Sequence, residues 1–264
     1  MSPDGIRPRG PGIILSLRNI AAFVHAALLA RAVFRDGSEA LRIAAFLGEG
    51  AGVFVEVGAN DPIVGSQSHA LEQRGWSGIL VEPLGEYAER LRAVRRATVF
   101  ECAAGSPAQA GRKLPLLVAG GLSTLSARIE EPVTARETRL VPVRTLDALL
   151  AEAGISHVDF LSIDVEGAEI AVLEGFAIER VRPRLVLVED DARTLDKHRH
   201  LAARGYKLVR RTALNNWYVP AESAFPLSLR GRWQLFRKMR LAAPLRRWKA
   251  RRRARRRPDL PPAG

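Results

Sequence analysis

The chain has 264 residues, enough for one sizeable α/β domain with attachments and too few for two full domains of ordinary size. Its single cysteine, Cys102, excludes an intrachain disulfide and any cysteine-built zinc site, and so points to a reducing, cytoplasmic setting. The net charge of +13 is localised: fourteen Lys and Arg and no Asp or Glu lie between Leu229 and Arg257, whereas residues 1–227 carry 27 basic and 27 acidic side chains. Basicity therefore belongs to a tail on a neutral body and does not describe a site within that body.

The first segment, "IILSLRNIAAFVHAALLARAVF" (13–34), is apolar but broken by Arg18, His25 and Arg31. Its longest run without Arg, Lys, Asp or Glu is about a dozen residues, short of the roughly 20 that a spanning helix needs. It reads as an amphipathic helix packed on the body or lying at an interface, and no secretory signal is recognised. Residues 1–50 are expected to form a helical extension, 51–222 the main domain and 223–264 a basic tail, partly amphipathic or disordered.

From residue 53 onward, β-rich runs alternate with helical patterns. "VFVEVG" (53–58) is the first strand, with a helix over roughly 66–75; "GILVEP" (78–83) is the second, with the helix "GEYAERLRAVRR" (85–96) after it. "ATVFECAAG" (97–105) is the third strand. A less regular stretch then runs to about 138, placed to roof an acceptor site with Ser123 and Thr124, before a helix near 145–153. "VDFLSIDVEG" (158–167) is the fourth strand, leading into the helix "AEIAVLEGF"; "RPRLVLVEDD" (182–191) is the fifth, leading into a helix that ends near 204. "YKLVRR" (206–211) and "NWYVP" (216–220) form an antiparallel pair across a turn containing Asn215 and Asn216. The fold class is α/β, Rossmann-like, with a mostly parallel seven-stranded sheet closed by an antiparallel hairpin. That is the architecture of class I S-adenosylmethionine-dependent methyltransferases; a dinucleotide-binding domain normally ends on a sixth parallel strand. Ligands in such sheets bind beyond the carboxyl ends of the strands.

The loop after the first strand selects against phosphate. At the three glycine positions of a dinucleotide fingerprint this chain has Gly58, Asn60 and Ile63. Glu56 and Asp61 would set two carboxylates beside a diphosphate, which is electrostatically unfavourable. The same acids suit S-adenosyl-L-methionine, whose head carries an ammonium and a sulfonium. Glu56 could face that ammonium, Gly58 would admit the backbone to the ligand, and Glu82 could accept both ribose hydroxyls. A strand-end acid in solvent is the alternative for Glu56 taken singly.

"FVEVGANDPIVGSQSHALEQRGWSGILVEP", "VPVRTLDALL" and "VDFLSIDVEGAEIAVLEGF" together resemble the FkbM-type methyltransferase family, over about residues 53–219. The resemblance implies methyl transfer, commonly to a hydroxyl oxygen of a sugar or polyketide-like small molecule. It places cofactor contacts on Glu56, Gly58, Ala59, Asn60, Glu82, the loop near Cys102 and Ala103, and Asp164, with Asp61 in the same turn. Two departures stand out: Pro62, where a glycine is usual, and "GSQSH" (65–69), where part of the family has Ser-Asn-Thr. Proline fixes φ and donates no hydrogen bond, so this turn has a different or stiffer shape.

Transfer from a sulfonium needs an acceptor held in line, water excluded and often a base. Asp164 is assigned to the methionine end or the acceptor and Glu166 to orientation. Glu169 is a helix-start acid. Glu189, Asp190 and Asp191 end the next strand and with Asp164 could hold a magnesium ion, although solvated strand-end acids look the same and no metal is assigned. His198 is a candidate general base, with a plain surface histidine as the alternative.

The tail mixes Leu, Trp, Phe and Met with arginine; Leu229, Trp233 and Phe236 can share one helical face. An anionic membrane surface, nonspecific nucleic acid and a solubilising tail are the three readings. An RNA methyltransferase and a non-catalytic Rossmann-like binding module are the rival functions. A neutral body, and no Asn/Asp-Pro-Pro-aromatic motif after the fourth strand, weigh against RNA.

Overall fold

The computed structural model describes residues 39–118, 137–190, 194–212, 214–224, 229–241, 244–245 and 248. The helix expected over 13–34, Ser123, Thr124, Asp191 and the arginine run after Trp248 lie outside the described residues.

Helix α1 (39–47) leads into β1 (Val53–Val57), α2 (His69–Glu72), β2 (Ser77–Val81), α3 (Gly85–Val94), β3 (Thr98–Phe100) and β4 (Ala103–Ala104). Then come β5 (Lys113–Val118), β6 (Glu137–Arg144), α4 (Leu146–Glu152), β7 (Phe160–Ile163), α5 (Glu169–Glu174), α6 (Ile178–Val181) and β8 (Leu185–Glu189). The chain continues through α7 (Asp196–Ala203), β9 (Tyr206–Thr212) and β10 (Asn215–Pro220) to α8 (Leu229–Phe236), which runs on as a π-helix over Arg237–Leu241. Seven strands form the main sheet in the order β3-β2-β1-β7-β8-β10-β9. Every pairing from β3 to β8 is parallel, and β10 runs antiparallel to both neighbours. This is the Rossmann-like class I arrangement that the alternation of elements predicts.

The central strands are buried on both faces, as helix-covered parallel strands must be. Val55, Val57, Ile79, Val81, Leu161, Ile163, Val186 and Val188 pack on one side against α4 to α7. Phe54, Leu80, Phe160, Leu185 and Leu187 pack on the other with Ile43, Ala44 and Leu47 of α1, Leu71 of α2 and Leu91 of α3. Residues 39–47, grouped with the N-terminal extension in the sequence reading, are thus part of this core. Buried Glu39 accepts hydrogen bonds from Trp217 Nε1 at 3.1 Å and Asn215 Nδ2 at 2.7 Å, tying α1 to the last strands.

Three expectations change. The third strand stops at Phe100, and Ala103–Ala104 pairs instead with β6 in a separate three-stranded sheet, ordered β4-β6-β5. The stretch read as irregular contributes β5 and β6 at its ends, an antiparallel ribbon whose inward residues Leu116, Val141 and Val143 alternate with exposed ones. Asn215 and Asn216 are not a turn: both lie buried inside β10.

Candidate active site

The carboxyl ends of β1, β2 and β7 are stitched together by backbone hydrogen bonds. Gly58 N donates to Val81 O at 2.9 Å, and Asp164 N donates to Val57 O at 3.0 Å. Gly58 has φ +81°, and a Cβ on it would lie 1.9 Å from the Asp164 carbonyl oxygen, so glycine alone lets these two ends converge. Asn60 also adopts positive φ (47°), which aims its amide at Glu82 Oε2, 3.0 Å away; the Leu84 amide donates to Oε1 at 2.9 Å. Glu82 is buried at the end of β2 and Ala59 beside it in the turn. Burial raises the Glu82 pKa, and the two amides oppose that rise. Each Glu82 oxygen receives one amide and has a second lone pair with which to accept another donor.

Glu56 is placed differently from the expectation that it faces a ligand ammonium. It shares strand parity with Phe54, so its side chain enters the α1–α3 side of the sheet, where it is 4 % exposed. Oε1 accepts from the Gln67 amide at 2.7 Å, and Oε2 accepts from Ser66 Oγ at 2.9 Å and Ser68 Oγ at 2.5 Å. Arg95, whose side chain is fully buried, lies over the Phe54 ring and is 3.9 Å from Glu56. It donates to Glu72 at 2.9 Å, to Ser66 Oγ at 3.0 Å, to Ser68 Oγ at 2.8 Å and to the Pro62 carbonyl at 3.1 Å. The loop from Pro62 to Ser68 is therefore wrapped around a buried carboxylate–guanidinium cluster, and Glu56 organises it. Pro62 and the "GSQSH" stretch, the departures noted above, are the residues this cluster holds.

Asp61 sits on the outer side of the same loop. Its Oδ1 accepts from the Ile63 and Val64 amides at 3.0 and 2.8 Å, and its Oδ2 from Arg90 at 2.8 Å. Partial burial would raise its pKa, but these amides and Arg90 outweigh it and hold the carboxyl below its ordinary value. Asp61 closes a local turn.

A second set of acids gathers at the carboxyl ends of β7 and β8. Carboxylate oxygens of Asp164, Glu166 and Glu189 all lie within 4.8 Å of one another. Glu166 is in the left-handed region (φ 52°), a conformation few non-glycine residues adopt. Asp164 is exposed, and Glu166 and Glu189 beside it are half-buried. Desolvation by the surrounding protein, then the charge of Glu189 and a hydrogen bond with it, then Glu166 and Glu169, push the Asp164 pKa well above the ordinary carboxylate value. Glu169 is more than a helix-start acid. It is 1 % exposed, accepts from the Gly167 amide at 2.8 Å and pairs with Lys197 Nζ at 2.8 Å. Lys197 also donates to the Glu189 carbonyl at 2.9 Å, so it braces the mouth from α7.

Not every residue considered from the sequence joins this set. Asp190, considered for a magnesium site, is buried away from the three acids and accepts from Asn216 Nδ2 at 2.8 Å. His198 stacks on Tyr218 at 6.0 Å between centroids, and burial followed by Arg240 lowers its pKa. Its electrostatic neighbours are Arg240, Asp190 and Arg199, not Asp164. Cys102 is buried beside Ala103, and burial pushes its thiol up to about 11, which leaves it uncharged and inert at neutral pH. Sequence reading missed Arg95, Glu72, Ser66, Ser68 and Lys197. Among these only the "SQS" beside a helix start gave any signal, as hydroxyls suited to a carboxylate.

The methyltransferase FkbM domain family matches residues 56–208. No curated protein matches the chain. Among solved structures it is similar to a methyltransferase FkbM from Methylobacillus flagellatus KT, with 18 % identity and a TM-score of 0.44. That alignment covers 66 % of this chain and 45 % of the other, so the chain spans under half of that protein's length. It is also similar to a precorrin-6y C5,15-methyltransferase from Geobacter metallireducens GS-15, with 11 % identity, a TM-score of 0.37, and 69 % and 86 % of the two chains covered.

Proposed function

Because the chain belongs to the FkbM methyltransferase domain family, we propose that it is an S-adenosylmethionine-dependent methyltransferase acting on a hydroxyl oxygen of a small molecule, sugar or glycolipid. The observation that carries this reading is the meeting of Glu82, Gly58 and Asp164 at one edge of the sheet, with acids where a phosphate site would need bare amides and cations. Glu82 is the acceptor for a pair of ribose hydroxyls, and Gly58, free of a side chain, brings the ends of β1 and β7 together beneath the ligand. Ala59 and Asn60 line the turn, and Cys102 and Ala103 supply an uncharged wall. When bound, S-adenosylmethionine supplies an electrophilic methyl group on a cationic sulfur.

The chain's own chemistry is the handling of a proton. A hydroxyl acceptor loses its proton as oxygen is methylated, and a base works best when its pKa lies near the working pH. The clustering of Asp164 with Glu189 and Glu166 raises the pKa of Asp164 toward that range. We assign Asp164 Oδ as the proton acceptor, Glu166 as the group that orients the substrate, and Glu189 as the neighbour that keeps Asp164 basic.

Calorimetry on the full chain tests the cofactor assignment: S-adenosylmethionine should bind and NAD should not. Binding of NAD with no heat from S-adenosylmethionine overturns it. Binding with no turnover across panels of sugars, lipids and small alcohols would identify a non-catalytic module. Turnover on RNA alone, lost with residues 229–264, would make the acceptor nucleic acid.

A further inference from the structure

Among the described side chains of residues 229–241, Met239 is buried, at 4 % exposure, and α8 packs against β9. Leu229, Trp233, Phe236 and Leu241 are instead exposed, at 82, 57, 48 and 54 %. Leu229, Trp233 and Phe236 fall within one narrow arc of a 3.6-residue helix. Leu245 and Trp248 continue the exposed apolar series beyond Leu241. Arg232, Arg237 and Arg240 are exposed among them. A row of large apolar side chains facing solvent marks an interaction surface.

From this we infer that the 229–248 segment docks the protein on an anionic lipid surface, with Trp233 and Phe236 inserted at the headgroup level. The inference goes beyond the methyltransferase reading and does not depend on it. Charge complementarity selects the occupant. Fourteen Lys and Arg with no acid lie between Leu229 and Arg257, so a second copy of the same segment would be repelled and an anionic surface attracted. Apolar content separates lipid from nucleic acid. Leu229, Leu241 and Leu245 have no partner in a phosphate backbone, whereas they suit the acyl boundary beneath anionic headgroups. Trp233 and Phe236 stack on each other, 5.7 Å between centroids, so the two rings cover each other's faces and do not stand apart to sandwich a base.

The test is flotation of the full chain with vesicles of phosphatidylcholine alone and of phosphatidylcholine mixed with phosphatidylglycerol. The chain should float with the mixed vesicles and not with the neutral ones. A Trp233→Ala, Phe236→Ala double variant, altered only at exposed positions, should reduce binding by about tenfold or more. Quenching by brominated phosphatidylglycerol gives a second readout. Trp76 and Trp217 are 4 and 1 % exposed and should stay unquenched, while Trp233 is quenched in a Trp248→Phe background. The inference is overturned by equal flotation with neutral vesicles, by no flotation with anionic ones, or by a double variant that floats as well as the parent. Retention on RNA with no quenching by lipid would likewise overturn it, in favour of a nucleic-acid surface.

Discussion

The loop after β1 and the mouth between β7 and β8 both crowd carboxylates together, with opposite consequences. In the loop, Glu56 and Glu72 are 4 and 2 % exposed, yet Arg95, two serine hydroxyls and the Gln67 amide meet them with hydrogen bonds. At the mouth, Asp164 and Glu189 share a hydrogen bond and Glu166 adds a third acid, so the Asp164 pKa is pushed well above the ordinary carboxylate value. Opposite charge makes a scaffold of the first set. Like charge gives the second a raised proton affinity, which a catalytic base needs. The same residue type thus serves architecture or chemistry according to what is packed against it.

Removing the loop's cation should give the largest effect. Arg95→Met would leave Glu72 and Glu56 buried without their guanidinium, and breaking a buried pair from one side costs about 3–5 kcal/mol. Urea unfolding should report a loss of that size. Arg95→Lys should recover only part of it, because an ammonium cannot reach Glu72, Pro62, Ser66 and Ser68 together. A midpoint unchanged by Arg95→Met would show that the loop is held by something else.

Asp164→Asn acts on the other set and should separate activity from stability. Turnover should fall by about tenfold or more, since the amide cannot accept the proton. Stability should move the other way. Asp164 has a folded pKa above its unfolded one, so above the ordinary carboxylate range the unfolded chain gives up its proton while the folded chain keeps it. Parent stability therefore declines as pH rises through the window between those two values, and the folded carboxylate is destabilised by its neighbours beyond it. Asparagine does not titrate, so the variant should gain in melting temperature over the parent as pH increases. Wild-type turnover, or a variant less stable at alkaline pH, would break the contrast between the two sets.

Much of this was legible in the sequence, and the parts that were not share a physical cause. Alternation of five apolar runs with helical patterns gives β1, β2, β3, β7 and β8, since central parallel strands announce themselves by continuous Val, Leu and Ile. β5 was hidden by Pro115, which argues against a central strand but is tolerated on the edge that β5 occupies. Asn215 and Asn216 read as a turn because those residues favour turns. Glu39 and Asp190 instead pair with their amides inside β10, a tertiary partnership that local propensity cannot register. Glu82, Gly58 and Asp164 could be placed because strand ends fix them. The direction of Glu56 could not, because it depends on Arg95, thirty-nine residues further along the chain.

The finest division of the comparison runs through Asp61, an acid of the same loop that lies outside the buried cluster. Its carboxylate caps the Ile63 and Val64 amides through one oxygen and meets Arg90 through the other, and Arg90 is 56 % exposed. An exposed pair of this kind contributes about 0.2–1 kcal/mol, and asparagine retains the oxygen that the amides need. Asp61→Asn should therefore lower stability by no more than about 1 kcal/mol and leave the affinity for S-adenosylmethionine in calorimetry close to that of the parent. Because Arg90 and the amides hold the Asp61 pKa down, the small stability contribution should be present at neutral pH and fade as acid protonates the carboxyl. A large loss of cofactor affinity in this variant would move Asp61 from the outer turn into the ligand's own electrostatic environment. The loop would then be reading the cationic head through Asp61 and not through the backbone at Gly58.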